Sequence, residues 1–512
     1  MKVLTAEQLY SVHQQTITQQ NISELDLIER AGLQVFNWMH RRMQGSQVKM
    51  HIFNGIGNNG AVGLSLAKHL IINGYNIDNY VVNFSKKRTD AFLKNYDKVK
   101  SLKSWPVLIN NADDYPKEIG KDDIIIDAIF GIGLNRDTSD LVNNLFTYLN
   151  TLSTFKLAID IPSGLLAEHA VDLSHVLKVN YTLSFQSPKL AFFLPETAVF
   201  TEQWEVLDIG LDQKALFSHN APQLISKHEV LPMYKVREKF SNKFTHGHAL
   251  IIGGSYGKMG AVSLSSKAAL KVGAGLVTAY VPSCGITILQ SAIPEVMVQT
   301  CVNEKVIEAM NPNGQFNVVG VGMGLGTAQE TSGALESFFK ENTLPLVIDA
   351  DALNSISKNS NMLKLIPPKS VLTPHKKELE RLLGKWENDF DMLEKAKAFS
   401  VNNDVVLVIK DAITITVYQK NLYINTSGNP ALATAGSGDV LTGVITGFIA
   451  QGYSTLEAAL FGVYLHGSTA DIAVAETGYQ SFIASDSINY LGAAYLKLFE
   501  RPEPQVSGED SE

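Results

Sequence analysis

The chain has 512 residues, of which 45% are hydrophobic and 18% are charged, and its formal net charge is −8 at pH 7. This length exceeds one ordinary core and predicts at least two domains, and the acidic balance argues against a nucleic-acid partner, which needs a basic surface. The two cysteines, Cys284 and Cys301, exclude a disulfide framework or a cysteine-based metal site and favour a reducing, cytoplasmic environment.

We expect neither a targeting segment nor insertion into a membrane. The first residues, MKVLTAEQLYSVHQQ, lack a long apolar core, and the sequence has no run of about 18 apolar residues. Residues 501–512 are rich in proline, serine and acidic side chains, which predicts a solvated acidic tail.

The first half of the chain alternates short β-type runs with helical patterns. Residues 5–45 predict helices, one of them capped by Ser23. The predicted strands that follow are Lys49–Phe53, Ile77–Phe84, Asp123–Ile126, Phe155–Ile159, Tyr181–Phe185 and Trp204–Val206, with helices over 63–73 and 141–151. This alternation predicts a parallel sheet with helices on both faces and a ligand site beyond the carboxyl ends of the strands.

A second α/β series follows an aperiodic segment, 213–225, which we interpret as a linker. Its predicted strands are Ala249–Ile252, Leu276–Val281, Asn317–Val321, Leu346–Ile348, Ser370–Leu372, Val405–Ile409 and Ile413–Val417, with helices at 260–272, 375–383 and 440–451. We therefore predict an α/β protein of two doubly wound domains, residues 1–212 and 226–500, with no obvious repeat between them.

The segment Gly428–Gly443 carries the clearest chemical signal. Small residues lead into Gly436-Ser437-Gly438, the carboxylate of Asp439 follows, and an apolar helical pattern begins at Val440. Unpaired N–H groups at a helix start attract phosphate, and a carboxylate there makes sense as a base for a hydroxyl that attacks a phosphoryl group. By itself, the segment fits equally well an ordinary glycine-rich loop with an aspartate cap.

Four more segments lie at predicted strand ends of the second domain. They are 253–260 (GGSYGKMG), 322–326 (GMGLG), 349–354 (DADALN) and 372–375 (LTPH). Each is weak alone, but a doubly wound sheet builds its site at this edge, so their occurrence together favours one site.

These motifs, with VIKD and GNPALATAGSGDVLTG, resemble the nucleotide-hydrate dehydratase branch of the ribokinase-like kinases, over nearly all of 240–475. The resemblance implies a ribokinase-like fold and an ADP-dependent (or, less favoured, ATP-dependent) NAD(P)H-hydrate dehydratase that uses Mg²⁺. Such an enzyme phosphorylates the ring hydroxyl of hydrated NAD(P)H and then eliminates phosphate to restore NAD(P)H.

The resemblance also implies roles for individual residues of this domain. Asp439 would be the catalytic base, and the backbone of Gly436, Ser437 and Gly438 would form the anion hole. The hydrate would contact Ala261, Gly324, His375 and Asp439, and the nucleotide would contact Lys410, Asp411, Ala412, Ile413, Thr414 and Gly438. Asp411 stands where the family usually has glycine, and a carboxylate close to a phosphate is unfavourable.

Several polar residues of the second domain keep more than one interpretation. For His375 we weigh ligand contact above packing beside Pro374, because it lies at a strand end. For His246 and His248 we favour a structural or solvated role. Asp349 and Asp351 could cap a helix or hold Mg²⁺, and we favour structure for Asp349 while Asp351 stays open.

The first domain carries three further segments at predicted strand ends. They are 54–63 (NGIGNNGAVG), 127–136 (DAIFGIGLNR) and 160–164 (DIPSG). Glycines allow a backbone to approach phosphate, but a GxGxxG pattern alone is weak, and no ribose-binding acid follows at the expected distance. The amide oxygens of Asn58 and Asn59 suit a hard cation or ribose hydroxyls.

This trio, together with 183–189 (LSFQSPK), resembles the NAD(P)H-hydrate epimerase domain across roughly 1–212, which has a Rossmann-like three-layer fold. The resemblance implies interconversion of the R and S hydrates, with Asp160 as acid and base and K⁺ held by Asn59, Asp127 and Ser163. Oxygen ligands suit an alkali cation. The hydrate would bind to Asn58, Asn59, Gly60, Ala61, Val62, Gly131, Ile132, Gly133, Leu134, Asn135, Arg136, Asp137 and Asp160.

We therefore predict a bifunctional NAD(P)H-hydrate repair enzyme, a homo-oligomer whose substrates are the hydrates and ADP or ATP. Two alternatives stay open. The family reads Gly-Asp where this chain has Ala61-Val62, and Val62 cannot accept a hydrogen bond, so the first domain could be structural only. The second domain could instead be a kinase for a small alcohol, although such a kinase has no use for the first domain.

Overall fold

Two sheets of mainly parallel strands, both flanked by helices, organise residues 1–501, the part of the chain that this computed structural model describes. The chain divides into two compact units, one of Met1–Gln223 with Asn388–Phe390, the other of Leu224–Glu387 with the chain from Asp391. Apart from Arg501, the predicted acidic tail lies outside the described residues.

The first sheet contains seven strands in the order β3-β2-β1-β4-β5-β6-β7, and every neighbouring pair is parallel. The strands are β1 Met50–Asn54, β2 Ile77–Val82, β3 Val107–Ile109, β4 Ile124–Ala128, β5 Phe155–Ile159, β6 Val179–Phe185 and β7 Thr201–Leu207. The six predicted strands are confirmed to within a few residues. Strand β3 was missed because it is a three-residue edge strand whose Val107 and Leu108 are exposed.

Helices cover both faces of this sheet. They are α1 Ala6–Gln20, α2 Glu24–Met43, α3 Asn58–Ile72, α4 Asp90–Ser101, α5 Asp140–Thr151, α6 Pro195–Ala198 and α7 Gln213–Ser218. Consecutive residues of β1 point into two different hydrophobic cores. Ile52 packs in the core formed with α2 and α3, and Phe53 packs in the core formed with α5. This alternation confirms the predicted three-layer arrangement.

The second sheet has ten strands in the order β11-β10-β9-β12-β13-β14-β15-β16-β17-β8. They are β8 Gln223–Ile225, β9 His248–Ile252, β10 Leu276–Val281, β11 Met297–Thr300, β12 Val318–Val321, β13 Leu346–Ile348, β14 Val371–Leu372, β15 Val406–Ile409, β16 Ile415–Tyr418 and β17 Asn421–Asn425. Strands β9 to β15 pair in parallel, whereas β15, β16 and β17 pair antiparallel. The second sheet is therefore mixed, and the strand predicted at 413–417 begins at Ile415 because 411–413 form the turn.

Ten α-helices accompany the second sheet within the described part of the chain. They are α8 Lys227–Val230, α9 Met259–Lys271, α10 Gly285–Ala292, α11 Gln329–Glu341, α12 Ala350–Lys358, α13 Lys376–Leu383, α14 Asp389–Asn403, α15 Ser437–Ala450, α16 Thr455–Ser481 and α17 Ala484–Lys497. Four of those between residues 284 and 403, and the two after residue 454, were not predicted. The segment 213–225, interpreted as an aperiodic linker, contains α7 and β8.

Helix α16 is, within residues 1–501, the one helix long and apolar enough to cross a membrane. In the structure 72% of its most apolar window is buried within the protein, and it packs against α15 and α17. A helix buried in a protein core needs apolar residues on most of its faces. The apolar composition of α16 is therefore accounted for by its burial within the protein.

Helix α15 is the centre of the second core, since every residue from Val440 to Ala450 is buried. Helix α9 approaches it closely at two glycines. A Cβ on Gly443 would lie 2.1 Å from the carbonyl oxygen of Ser265, and one on Gly447 would lie 2.4 Å from a methyl group of Val272. The close packing of α9 against α15 fixes the start of α15 relative to the sheet.

We predict that Gly443→Ala lowers the free energy of unfolding by about 3 kcal/mol, because the added methyl group meets backbone that cannot move aside. The midpoint of urea unfolding, followed by circular dichroism, measures the change. Gly333→Ala is the matched control, because Gly333 lies on the exposed side of α11 with nothing within 4 Å of a new Cβ. It should leave the midpoint unchanged or raise it, since alanine favours helix. Equal midpoints for both variants would contradict the prediction.

Candidate active sites

The first unit has its main cavity where the strand order reverses. Strands β1 and β4 are neighbours, and the chain proceeds from them toward opposite edges of the sheet, so a crevice opens beyond their carboxyl ends. A cavity of about 900 Å³ occupies this place. That volume lies within the usual range for small-molecule sites, roughly 300–1,000 Å³.

Most of the predicted hydrate-binding residues line this cavity. Those that do so are Asn58, Asn59, Val62, Gly131, Ile132, Gly133, Leu134, Asn135, Arg136 and Asp160. Gly60, Ala61 and Asp137 are not part of the wall. Gly60 lies too close to the loop for a side chain, since a Cβ there would be 1.9 Å from the carbonyl oxygen of Gly55, and Ala61 is fully buried in the core.

Asp160 is held in a strained and well-defined position at the end of β5. Its φ angle is +73°, a left-handed conformation that is unfavourable for a residue other than glycine. Lys189, whose side chain is fully buried, approaches Oδ1 to 2.9 Å, and the N–H of Ile132 donates to Oδ2 at 3.2 Å. One carboxylate oxygen is therefore fixed by an ion pair while the other faces the cavity.

The ammonium of Lys189 has three acceptors, because it also donates to Ser184 Oγ and to the carbonyl oxygen of Ser187, both at 2.8 Å. The motif 183–189 was quoted from the sequence, but no role was predicted for Lys189 within it. A buried lysine cannot be recognised from composition, since lysine is usually exposed.

The three predicted K⁺ ligands lie together beneath the cavity, around the backbone of Phe130. Asn59 Nδ2 donates to the Phe130 carbonyl oxygen at 2.8 Å, and the Phe130 N–H donates to Ser163 Oγ at 2.8 Å. Asp127 is fully buried, accepts from Ser163 Oγ at 2.6 Å and from Ser163 N–H at 2.8 Å, and forms no ion pair with a described residue. Burial raises the pKa of Asp127 to about 6.

One face of α1, a helix for which the sequence motifs indicate no site residue, forms a wall of the same cavity. The residues on that face are Ala6, Leu9, Tyr10, His13, Gln14 and Ile17. Their spacing of three and four residues is the helical signature, and it was visible in the sequence. Only the fold shows that this face meets a cavity as well as a core.

The second unit repeats the arrangement, with the strand order reversing between β9 and β12. The glycine-rich segments after these strands touch each other, since Gly254 N–H donates to the Met323 carbonyl oxygen at 2.8 Å and Ser255 Oγ donates to that of Gly324 at 2.8 Å. A Cβ on Gly324 would lie 3.2 Å from the Cβ of Ala261. Ala261 and Gly324, both predicted to contact the hydrate, are therefore neighbours.

Asp439 lies in the first turn of α15, as predicted. Gly436 caps the helix with a φ of +88°, so the N–H groups of the first turn stay without helical partners. Burial, together with repulsion from Asp349 and Asp351 and against the attraction of Lys410, raises the pKa of Asp439 to about 6. This value places Asp439 in the range of a base that works near neutral pH.

Lys410 and Asp349 form an ion pair beside this turn, with Lys410 Nζ 2.7 Å from Asp349 Oδ1. Thr442 Oγ1 donates to Asp349 Oδ2 at 2.7 Å, and the Ala350 N–H donates to Oδ1 at 2.8 Å. A Cβ on Gly438 would lie 3.2 Å from the ammonium. Asp349 thus has the structural role that we favoured, and it holds a positive charge next to the glycine-rich turn.

The other predicted nucleotide residues form the hairpin between β15 and β16. Asp411, Ala412, Ile413 and Thr414 follow Lys410 there. Asp411 is exposed, and its Oδ1 accepts from the Ala412 N–H at 2.7 Å, so its carboxylate belongs to the turn. Solvent screens such a charge, which weakens its repulsion of a phosphate.

His375 caps α13 in this structure. Its Nδ1 accepts from the N–H of Lys377 at 3.1 Å, and its own N–H donates to Glu378 Oε2 at 3.0 Å. About half of its side chain is exposed, and its backbone pairs with that of Lys410. The cap fixes the ring while its exposed edge stays accessible from the same end of the sheet.

A further residue of this site, His466 on α16, was not predicted. It is buried, and its Nε2 lies 3.5 Å from Ser437 Oγ. Burial and the positive charge of Lys410 lower its pKa to about 4, so the ring is neutral at pH 7. No sequence signal distinguishes this histidine from an ordinary core residue of an apolar helix.

Both parts of the chain match known protein families. Residues 249–491 match the family described as NAD(P)H-hydrate dehydratase, and residues 24–191 match the YjeF-related protein N-terminus. The bifunctional NAD(P)H-hydrate repair enzyme Nnr of Moorella thermoacetica is 32% identical over 99% of this chain and 99% of its own. The chain belongs to the bifunctional NAD(P)H-hydrate repair enzyme family. The Escherichia coli member of this repair family is 33% identical over 72% of this chain and 71% of its own.

One solved structure is also similar to part of this chain. It is the ADP/ATP-dependent NAD(P)H-hydrate dehydratase of Bacillus subtilis, co-crystallized with ATP and Mg²⁺. It is 23% identical, covers 54% of this chain and 99% of its own length, and has a TM-score of 0.48.

We predict that Lys410→Met destabilises the second unit by roughly 2–4 kcal/mol, because it leaves the Asp349 carboxylate buried without a cation. The loss is smaller than for a fully enclosed pair, since Lys410 keeps 20% of its side chain exposed. The double variant Lys410→Met/Asp349→Leu should recover much of the stability, because no charge is then stranded. Thermal unfolding of the single and double variants measures both effects, and equal losses would contradict the account.

Proposed function

We propose that this protein repairs hydrated NAD(P)H with two active sites, an epimerase within residues 1–212 and a dehydratase within residues 226–500. The dehydratase uses ADP, or less favourably ATP, with Mg²⁺, and acts on the S hydrate, releasing AMP and phosphate when ADP is the donor. The observation that carries the proposal is Asp439 in the first turn of α15, beside Gly436 and the Lys410–Asp349 pair, in a member of this enzyme family.

In the dehydratase site, Asp439 takes the proton of the ring hydroxyl as the oxygen attacks the terminal phosphoryl group. The backbone N–H groups of Gly436 to Gly438 stabilise the charge on that group, helped by the dipole of α15. Lys410 lies next to Gly438 and places a positive charge beside the phosphates. The neutral His466 supports the turn through Ser437 and adds no charge there.

Mg²⁺ fits this site as an ion that arrives with the nucleotide. Within residues 1–501 no group of three or more His, Cys, Asp or Glu side chains could hold a metal, as expected for an ion bound mainly by phosphates and water. Asp349 already accepts three hydrogen bonds. Asp351 is the more exposed carboxylate, with 21% of its side chain accessible although it accepts from the Gly326 N–H at 2.8 Å, and it would approach the ion.

In the epimerase site, Asp160 is the acid and base for loss and return of water at the ring carbon that bears the hydroxyl. The loop from Gly131 to Arg136 borders the same cavity and would receive the substrate phosphates. K⁺ would lie near Asn59, Asp127 and Ser163 and supply the positive charge that the buried Asp127 lacks. That carboxylate, with its raised pKa, fits an oxygen-only alkali site.

We predict that Asp439→Asn reduces dehydration of the S hydrate by about 10²–10⁴-fold, because the site loses its base. For the natural protein the rate should rise from about pH 5 to about pH 7, since only the carboxylate accepts a proton and the pKa of Asp439 is about 6. The recovery of reduced-nicotinamide absorbance with ADP and Mg²⁺ measures the rate. A phosphorylated product without phosphate release would instead indicate a small-alcohol kinase.

We predict that Asp160→Asn abolishes enzymatic interconversion of the hydrates while dehydration of the S hydrate keeps its natural rate. The amide keeps the shape of the carboxylate but cannot accept a proton. On a mixed preparation, recovery of absorbance should stop at the S fraction apart from spontaneous epimerisation. The same interconversion rate in the variant and in the natural protein would support a purely structural first domain.

A homo-oligomeric state and a cytoplasmic location stay predictions.

A further inference from the structure

One polar group of the first unit has no role in the mechanism above. The imidazole of His13 lies on the face of α1 that borders the 900 Å³ cavity, two turns after Ala6 on the same wall. Within residues 1–501 it makes no hydrogen bond, and its nearest ring neighbour, Tyr10, has its centroid 6.5 Å away. The ring is of intermediate burial, so its two nitrogens are open to a molecule in the cavity and are not engaged by the protein.

The charged groups that act on His13 are those of the proposed acid/base site. Asp160 raises the pKa of His13 and Lys189 lowers it, while burial lowers it most. The other charged residues on the cavity wall are Glu7, Glu24, Lys87, Arg88 and Arg136. His13 and Asp160 therefore line the same cavity and influence each other electrostatically, and no hydrogen bond or ion pair joins them.

Inversion at one carbon atom requires proton transfer on two faces of the ring. On one face the hydroxyl must receive a proton to leave as water, and on the other face an incoming water must lose one. Asp160 is one carboxyl group on the cavity wall, with Lys189 paired to Oδ1 and the Ile132 N–H donating to Oδ2, so it exchanges a single proton at a time. Lys189 is fully buried and already has three acceptors, so it cannot reach a substrate itself.

We propose that His13 is the second proton-transfer group of the epimerase, facing the hydrate from α1 while Asp160 faces it from β5. The proposal rests on the epimerase function proposed above. It adds a second catalytic residue to Asp160, one that the sequence motifs did not indicate.

The proton balance is as follows in one direction. The imidazolium of His13 donates a proton to the ring hydroxyl, the carbon–oxygen bond breaks, and water leaves. The electron pair of the adjacent ring nitrogen forms a carbon–nitrogen double bond and leaves a planar cation. A water molecule adds to the opposite face, the double-bond electrons return to nitrogen, and the added water gives its extra proton to Asp160.

The opposite direction begins with neutral His13 and protonated Asp160 and reverses each step. The two residues thus share one proton, and no oxidant, reductant or co-substrate is consumed. The two groups reach the same cavity from different elements, His13 from α1 and Asp160 from the end of β5, and the proposal places one at each face of the ring.

The test uses the full-length protein with ADP, Mg²⁺, K⁺ and a mixed hydrate preparation. Recovery of reduced-nicotinamide absorbance then has a fast phase, dehydration of the S hydrate, and a slow phase, limited by epimerisation. We expect His13→Gln to slow the second phase by about 10²-fold toward the spontaneous rate, with an unchanged fast phase. His169→Gln is the matched control, a histidine that is exposed in the same unit and absent from the cavity wall, and it should match the natural protein.

Chemical rescue separates proton transfer from packing. In His13→Ala, added 4-methylimidazole should restore part of the slow phase, because the truncated side chain leaves room beside an open cavity. A slow phase of His13→Gln equal to that of the natural protein would overturn the proposal, as would slowing without rescue in His13→Ala. If the natural protein itself shows only the spontaneous rate, the epimerase function fails, and the proposal for His13 fails with it.

Discussion

Both candidate sites depend on one constraint, the parallel pairing of strands whose connections leave in opposite directions. Parallel strands end at the same edge of a sheet, so the loops after them meet there. Between β1 and β4, and again between β9 and β12, the neighbouring loops turn away from each other and leave a crevice. Asp160 and Asp439 reach these crevices, one at the end of a strand and the other at the start of a helix.

The two proposed reactions place different electrostatic demands on the two units, although both sites lie where the strand order of the sheet reverses. In the proposed dehydratase, phosphoryl transfer gathers negative charge, and the groups available to offset it are backbone N–H groups, the dipole of α15 and the ammonium of Lys410. In the proposed epimerase, proton transfer falls to side chains, among them Asp160 with its ion-pair partner Lys189. The glycine-rich turn at Gly436 opens α15, and the carboxylate of Asp439 lies in the first turn of that helix.

The free-energy cost of burying a charged side chain limits where carboxylates can lie in these sites. Asp127 and Asp349 are almost inaccessible, and a buried carboxylate is costly unless it is paired or hydrogen-bonded. Asp349 has Lys410 and Thr442, whereas Asp127 has only neutral donors among the described residues, and burial therefore raises its pKa. Backbone strain accompanies this chemistry, since Asp160 and Ala350 both adopt positive φ angles at the site edges.

The sequence by itself determined the two α/β series, most strand positions and the segments that form each site, because hydrophobic periodicity and glycine-rich turns are local signals. It could not reveal Lys189, His466 or His13 as members of the sites. Their side chains come from the segment after β6, from α16 and from α1, which lie far in sequence from most of the motifs. Nor did it predict the antiparallel hairpin of β15 and β16 that places Lys410 beside Asp349. Such contacts arise only when the chain folds, because burial and the approach of charges are properties of tertiary packing, which no local pattern encodes.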